Sequence, residues 1–205
     1  MVLNLLPLRQ GHFLLESGHH GDRWLDLELL CLRPRLLEPL IGKLAERLGT
    51  LGIDSVCGPL VEGAFVGLMI ATQLDVEFTY TERTLRPTQD GLFPASYRLP
   101  PSLREKVRGK RVAIVNDVVN AGSAVKGTFA DLRECGANVI AIGTLLVLGS
   151  AAAEFASRIG VVLDSLATLP NFLWTTSACP LCAAGIPLED IGGFAACLAA
   201  KDTGL

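Results

Sequence analysis

Between Leu36 and Gly49 the apolar positions of "LLEPLIGKLAERLG" recur at helical spacing, placing Leu37, Leu40, Ile41, Leu44 and Leu48 on one face. Gly49 is the expected stop, and Pro39 is expected near the first turn, where its missing N–H costs little. "IDSVCGP" then predicts a short strand, "EGAFVGLMIATQL" a second helix and "VEFTYTE" another strand. Further on, "RVAIV" reads as a buried strand, Ser123–Cys135 as a helix and "NVIAIGTLLVLG" as a strand, with weaker helix and strand signals from Ala151 to Leu166. Strands alternating with helices predict an α/β fold with a mainly parallel central sheet flanked by helices.

Two stretches break the pattern. Thr84–Lys110 has no sustained period and gathers Pro87, Pro94, Pro100 and Pro101 with Arg83, Arg86, Arg98, Arg104 and Arg108 in or beside it. A loop of that length inside a compact domain is typically a lid or binding loop, and its arginines fit phosphate contact better than a merely solvated face. The tail from about residue 167, including "LPNFLWTTSACPLCAAGIPLED", predicts no regular element. One domain over residues 1–205 is expected, with an N-terminal segment (1–33), the long loop (81–109) and an irregular C-terminal extension (167–205).

Composition narrows the partners. Half of the 205 residues are hydrophobic and the net charge is −3, so a sizeable core is expected and no global attraction to nucleic acid or an anionic membrane. Cys135–Ala153 carries no charge, but its glycines and β-branched centre fit a buried strand entering a helix better than a membrane span. Met1–Gln10 lacks a basic start followed by a long apolar run, so a cytoplasmic location is expected and the six cysteines are expected as thiols. "CPLC" (Cys179, Cys182) has the spacing of half a zinc site, but no second close pair accompanies it in sequence. A packed turn is the expectation there. His19 and His20 read as a solvated turn, lacking a third ligand.

"RVAIVNDVVNAGSA" is the stretch with most chemistry. A strand ending at Val115 in a parallel sheet would deliver Asn116 and Asp117 to the carboxyl edge, where ligands bind. The following small-residue loop leads into a helix whose free N–H groups favour an anion, with Asn120 and Ser123 adding side-chain hydrogen bonds. A carboxylate beside a phosphate cradle points to a ribose 5-phosphate. An ordinary βα turn with a capping Asp fits the same spacing.

"VAIVNDVVNAGSA" resembles the phosphoribosyl-pyrophosphate (PRPP) motif of type I phosphoribosyltransferases. "GHFLLESGHHGDRWLDLE", "CGPLVEGAFVG" and "FTYTER" resemble, in order, further segments of the orotate phosphoribosyltransferase family. The resemblance implies a type I phosphoribosyltransferase-like fold with a small N-terminal hood and a long mobile loop. It further implies transfer of ribose 5-phosphate from PRPP to a pyrimidine base, most simply orotate, by a cytoplasmic homodimer. Asn120, Ala121, Gly122, Ser123 and Ala124 would hold the 5-phosphate, and Asn116 and Asp117 would face the ribose. Gly58, Pro59, Leu60, Val61, Glu62 and Gly63 would wrap the pyrophosphate. Arg83 and Arg86 would neutralise the leaving group alongside Asp117 as the catalytic set, and Trp24 would lie against the base or serve as a core aromatic. Mg²⁺ would be bound through substrate oxygens, with no metal ligand assigned in the chain.

The chain departs from that family's pattern at several points. Asn116 stands in place of one of two acids, Glu62 where the family commonly has Lys, and Glu16 where its N-terminal segment has Lys. The loop has no Lys-rich run ending in His-Gly, and no Arg follows "LLVLG" to meet the carboxylate of orotate. A non-catalytic PRPP- or nucleotide-binding regulator of the same fold, or a transferase for another base, are the alternatives these departures keep open.

Overall fold

A computed structural model of the chain describes residues 8–15, 18–85, 95–120 and 122–191. The elements are β1 (Leu8–Leu14), β2 (His20–Leu25), α1 (Leu27–Leu30), α2 (Pro34–Gly49), β3 (Ser55–Pro59), α3 (Glu62–Leu74), β4 (Glu77–Leu85), β5 (Ala95–Arg98) and α4 (Pro101–Arg104). They continue with β6 (Arg111–Val119), α5 (Ser123–Glu134), β7 (Asn138–Leu148), α6 (Ala151–Ile159), β8 (Val162–Leu169), β9 (Leu173–Trp174) and α7 (Pro180–Ala183).

A six-stranded sheet runs in the order β5-β4-β3-β6-β7-β8, and only β5 is antiparallel to its neighbour. Along β6, alternate side chains go to opposite faces. Ala113 and Val115 join the core under α2 and α3, whereas Val112 and Ile114 join the core with Val125, Leu132 and Phe155 of α5 and α6. That two-sided burial is why the strand reads as a continuous apolar run rather than an alternating one. The predicted face of α2 is the buried one, including Leu40, Ile41, Leu44 and Leu48. The helix starts earlier than expected, with Pro34 in its first turn. Pro39 therefore lies inside the helix, where its ring removes one interior hydrogen bond.

Three expectations need correction. β6 does not stop at Val115 but pairs with β7 through Val119, so Asn116 and Asp117 lie within a strand. The long-loop segment is largely regular: Glu82–Leu85 pairs with Ala95–Arg98 as a hairpin, and a helical turn follows, while residues 86–94 lie outside the described ones. Nor is the chain irregular from residue 167, because β8 continues to Leu169. There β9 joins β2 and β1 in a second, three-stranded antiparallel sheet. Among the described residues no helix is long and apolar enough to cross a membrane.

Candidate active site

The loop from β3 to α3 is shaped by close backbone approach. A Cβ on Gly58 would lie 2.6 Å from both the Ala64 Cα and the Gly63 carbonyl oxygen, so only glycine fits. A Cβ on Gly63 would collide with Asn116 Oδ1, which puts the candidate pyrophosphate loop directly against the candidate ribose pair. Leu60 N–H donates to the Thr81 carbonyl (2.9 Å), tying the loop to β4, and the Leu60–Val61 peptide is cis. Leu60 and Val61 are exposed at 37% and 53%, apolar side chains left on the rim where a ligand would lie.

Asp117 stands out among the described carboxylates. It is buried (4% exposed), and its Oδ2 has no hydrogen-bond partner among the described residues. Burial pushes its pKa up to about 7, opposed by backbone hydrogen bonding from Val118 and reinforced by the nearby Glu62 carboxylate. Burial, with Asp117 and Glu62 as further contributors, also raises the Cys31 thiol, so the turn after α1 faces the same spot. The strand around Asp117 is held by Thr144 of β7, whose hydroxyl lies 3.0 Å from the Asp117 carbonyl. Asn116 donates from Nδ2 to the Val118 carbonyl (2.8 Å) and keeps its Oδ1 toward Gly63.

Beyond β6 the chain turns through Gly122 in the left-handed region (φ 77°) and enters α5 at Ser123. Its N-cap residue, Gly122, has no side chain to cap it, so among the described residues the first N–H groups, those of Ser123 and Ala124 included, are open to an anion. Asn120 accepts from Asn171 Nδ2 at 2.7 Å, which brings the segment before β9 beside the loop. Lys126, not identified from the sequence, lies over the same turn: its Nζ is 3.9 Å from where a Gly122 Cβ would be. The i, i+4 spacing of Gly122 and Lys126 on a helix start is the signal that would have found it. Ala121 lies outside the described residues.

Arg83 is exposed on β4 opposite Tyr97, on the strand that carries Thr81 to the pyrophosphate loop; Arg86 lies outside the described residues. The other arginines of this segment have different work. Arg98 and Arg104 both bind Asp131 (2.8 and 3.0 Å) and Glu134 (2.6 and 3.3 Å) on α5, and Arg108 pairs with Glu105. The expectation of phosphate contact fails for these three because carboxylates already engage them. Trp24 on β2 is half-buried, 6.2 Å from the Phe13 ring, and donates from Nε1 to Asp26 Oδ1 (2.9 Å). It belongs to the second sheet rather than to the main core.

The "CPLC" pair also departs from expectation. The β1–β2 hairpin supplies it with His12 and His20, so the turn is not simply packed: four candidate metal ligands converge there.

Residues 34–177 match the model of the phosphoribosyl transferase domain. The orotate phosphoribosyltransferase of Caldanaerobacter subterraneus is 32% identical over 90% of this chain and 90% of its own length. That of Thermotoga maritima is 30% identical over 90% of this chain and 91% of its own. The chain belongs to the orotate phosphoribosyltransferase family. Among solved structures, the orotate phosphoribosyltransferase from Aeropyrum pernix superimposes with a TM-score of 0.62 at 26% identity, covering 79% of this chain and 88% of that one. Adenine phosphoribosyltransferase from Rhodothermus marinus, at 18% identity and a TM-score of 0.62, shares the fold. In this member of the orotate phosphoribosyltransferase family the two candidate loops follow adjacent strands, β3 and β6, and carry Glu62 and the Asn116–Asp117 pair.

Proposed function

We propose that the chain transfers ribose 5-phosphate from PRPP to orotate, releasing pyrophosphate. The observation that carries this reading is the contact between the Gly58–Gly63 loop and Asn116, with Asp117 and the uncapped start of α5 following on the same strand and loop. One end of β6 thereby offers an anion seat, a carboxylate for sugar hydroxyls and a second loop for a diphosphate.

In the reaction a bond forms between a ring nitrogen of the base and the anomeric carbon, while the carbon–oxygen bond to pyrophosphate breaks and its electron pair leaves with the pyrophosphate. The N–H groups of Ser123 and Ala124, with the Lys126 ammonium, hold the 5-phosphate. Asp117 in its ionised form accepts hydrogen bonds from ribose hydroxyls and offsets positive charge developing on the sugar. Arg83 neutralises the departing pyrophosphate, and Trp24 provides an aromatic surface for the base.

Mg²⁺ fits this site. The orphaned Asp117 Oδ2 and the Glu62 carboxylate are hard oxygen groups facing one region, and an acid at position 62 is compatible with pyrophosphate when a cation lies between them. Bound chiefly through substrate oxygens, the ion would supply charge neutralisation for the leaving group. A homodimer is supported by Leu29, Leu32 and Leu36, exposed at 53%, 72% and 51% around one groove of α1 and α2. The expected location is cytoplasmic.

Measuring pyrophosphate release from PRPP and Mg²⁺ across a panel of bases tests the reading. Release with orotate supports it, and release with a different base reassigns the acceptor. Tight PRPP binding without turnover selects the regulator.

A further inference from the structure

Four ligand atoms of zinc type meet where the C-terminal segment crosses the β1–β2 hairpin. His12 Nε2 is 2.9 Å from His20 Nδ1 and 3.4 Å from Cys179 Sγ. Cys182 Sγ is 3.7 Å from His12 Nε2 and 3.3 Å from His20 Nδ1. All four donor atoms lie within 4.8 Å of one another. Tetrahedral zinc with nitrogen ligands at about 2.0–2.1 Å and sulfur at about 2.3 Å requires donor separations of roughly 3.3–3.8 Å. The four separations given above come within about 0.5 Å of that range, and the remaining pairs, all inside 4.8 Å, would close by at most about 1 Å on binding.

The surroundings orient these atoms for coordination. His12 Nδ1 donates to the Ile186 carbonyl (2.8 Å), which leaves the Nε2 lone pair aimed into the cluster. His20 Nε2 faces Thr176 Oγ1 at 3.5 Å, leaving Nδ1 as its inner atom. Outer hydrogen bonds of this kind fix the tautomer and ring plane of ligating histidines. His12, His20 and Cys179 are buried and Cys182 lies at the surface, giving a site close to solvent yet filled by protein donors.

We propose that His12, His20, Cys179 and Cys182 bind one Zn²⁺ as a closed tetrahedral site that fastens the C-terminal segment to the β1–β2 hairpin. Four protein ligands leave no open position for a substrate, so the ion is structural. All four ligands lie outside the 34–177 span that matches the transferase domain, in the N- and C-terminal segments that flank it. The staple adds to a thin set of ties among the described residues: β9 pairs with β2 at His20↔Trp174 and Gly21↔Leu173, and Glu189 exchanges backbone hydrogen bonds with His12 and Leu14. Binding displaces the two thiol protons, and its free energy becomes folding free energy for the second sheet.

The proposal is tested on the full chain purified under reducing conditions without chelator. Elemental analysis is expected to give about one zinc per chain. Exchange with Co²⁺ is expected to give the intense visible bands of tetrahedral cobalt together with thiolate-to-cobalt charge transfer. Cys182→Ser, at a surface position, is expected to weaken metal retention and reduce that charge-transfer band. Stripping the metal is expected to lower the melting temperature, and Zn²⁺ to restore it. Failure of the reduced, zinc-treated chain to retain zinc or to show thiolate–cobalt bands overturns the site, as does a Cys179–Cys182 disulfide that persists under reductant. None of these readouts depends on transferase turnover, so the site and the proposed activity fail separately.

Discussion

Asp117 and Asp131 are both buried aspartates in the same half of the chain, at 4% and 2% exposure, but their surroundings are opposite. Asp131 on α5 is fully engaged: Leu99 N–H donates to it at 2.7 Å, and Arg98 and Arg104 reach it at 2.8 and 3.0 Å. Burial alone would raise its pKa, but these donors and charges outweigh it and hold the carboxyl below its ordinary value. Asp117 has an Oδ2 with no hydrogen-bond partner among the described residues, an acidic neighbour and a pKa pushed up to about 7 by burial. A carboxylate completed by its own protein supports structure; one left incomplete is suited to a ligand. The first fastens β5 and α4 onto α5, and the second lies between the two candidate substrate loops.

The sharpest way to break this division is to remove each charge in turn. Asp117→Asn is expected to lower kcat/KM for PRPP by about 100-fold or more. Asp131→Asn, scored per folded molecule, is expected to stay within about 3-fold, under 1 kcal/mol of transition-state energy. Equal losses would remove the distinction between the two sites.

Stability is expected to move the opposite way, which urea denaturation at pH 8 can read. A carboxyl whose folded pKa is raised binds more protons folded than unfolded, so its contribution falls as pH climbs from about 4 through about 7. Asp117→Asn relieves that cost and is expected to stabilise the chain at pH 8 by on the order of 3 kcal/mol. For Asp131 the folded pKa is lowered, so its stabilisation is present above the unfolded pKa and is lost as pH falls through the folded value. Asp131→Asn is expected to cost about 2–3 kcal/mol, moderated because both arginines are partly solvated. A stability loss from both substitutions would contradict the account of Asp117.

A smaller effect is expected beside the phosphate seat. Lys126→Ala is expected to raise KM for PRPP about 10-fold with little change in kcat, the signature of binding shared by ground and transition states. An unchanged KM would take Lys126 out of the site. The smallest effect concerns Glu62. The wild-type pH profile of kcat/KM is expected to rise near pH 7 as Asp117 ionises, and Glu62→Gln is expected to move that limb to lower pH. Absence of the limb in Asp117→Asn is the control that assigns it.

The same contrast shows what was legible from residue order. The faces of α2, the span of α3 and the buried run of β6 follow from periodicity, the loop after β6 follows from its small residues, and the Gly58–Gly63 loop came only from the family resemblance. Position inside a strand was not legible for Asn116 and Asp117: a polar pair after "RVAIV" looks like a strand end, and only pairing with β7 carries the strand to Val119. Arg98 and Arg104 resemble phosphate ligands until Asp131, some thirty residues on, is seen to receive them. The partners of "CPLC" were hidden for a similar reason. His12 and Cys179 are 167 residues apart, and no local spacing links them.

The most direct measurement is orotate consumption with PRPP and Mg²⁺, followed alongside pyrophosphate release in wild type and Asp117→Asn. The expected result is one pyrophosphate released for each orotate consumed by the wild type, with both rates falling together in the variant. PRPP-bound protein that consumes no orotate, or a variant that turns over as fast as wild type, would contradict the reading of this site.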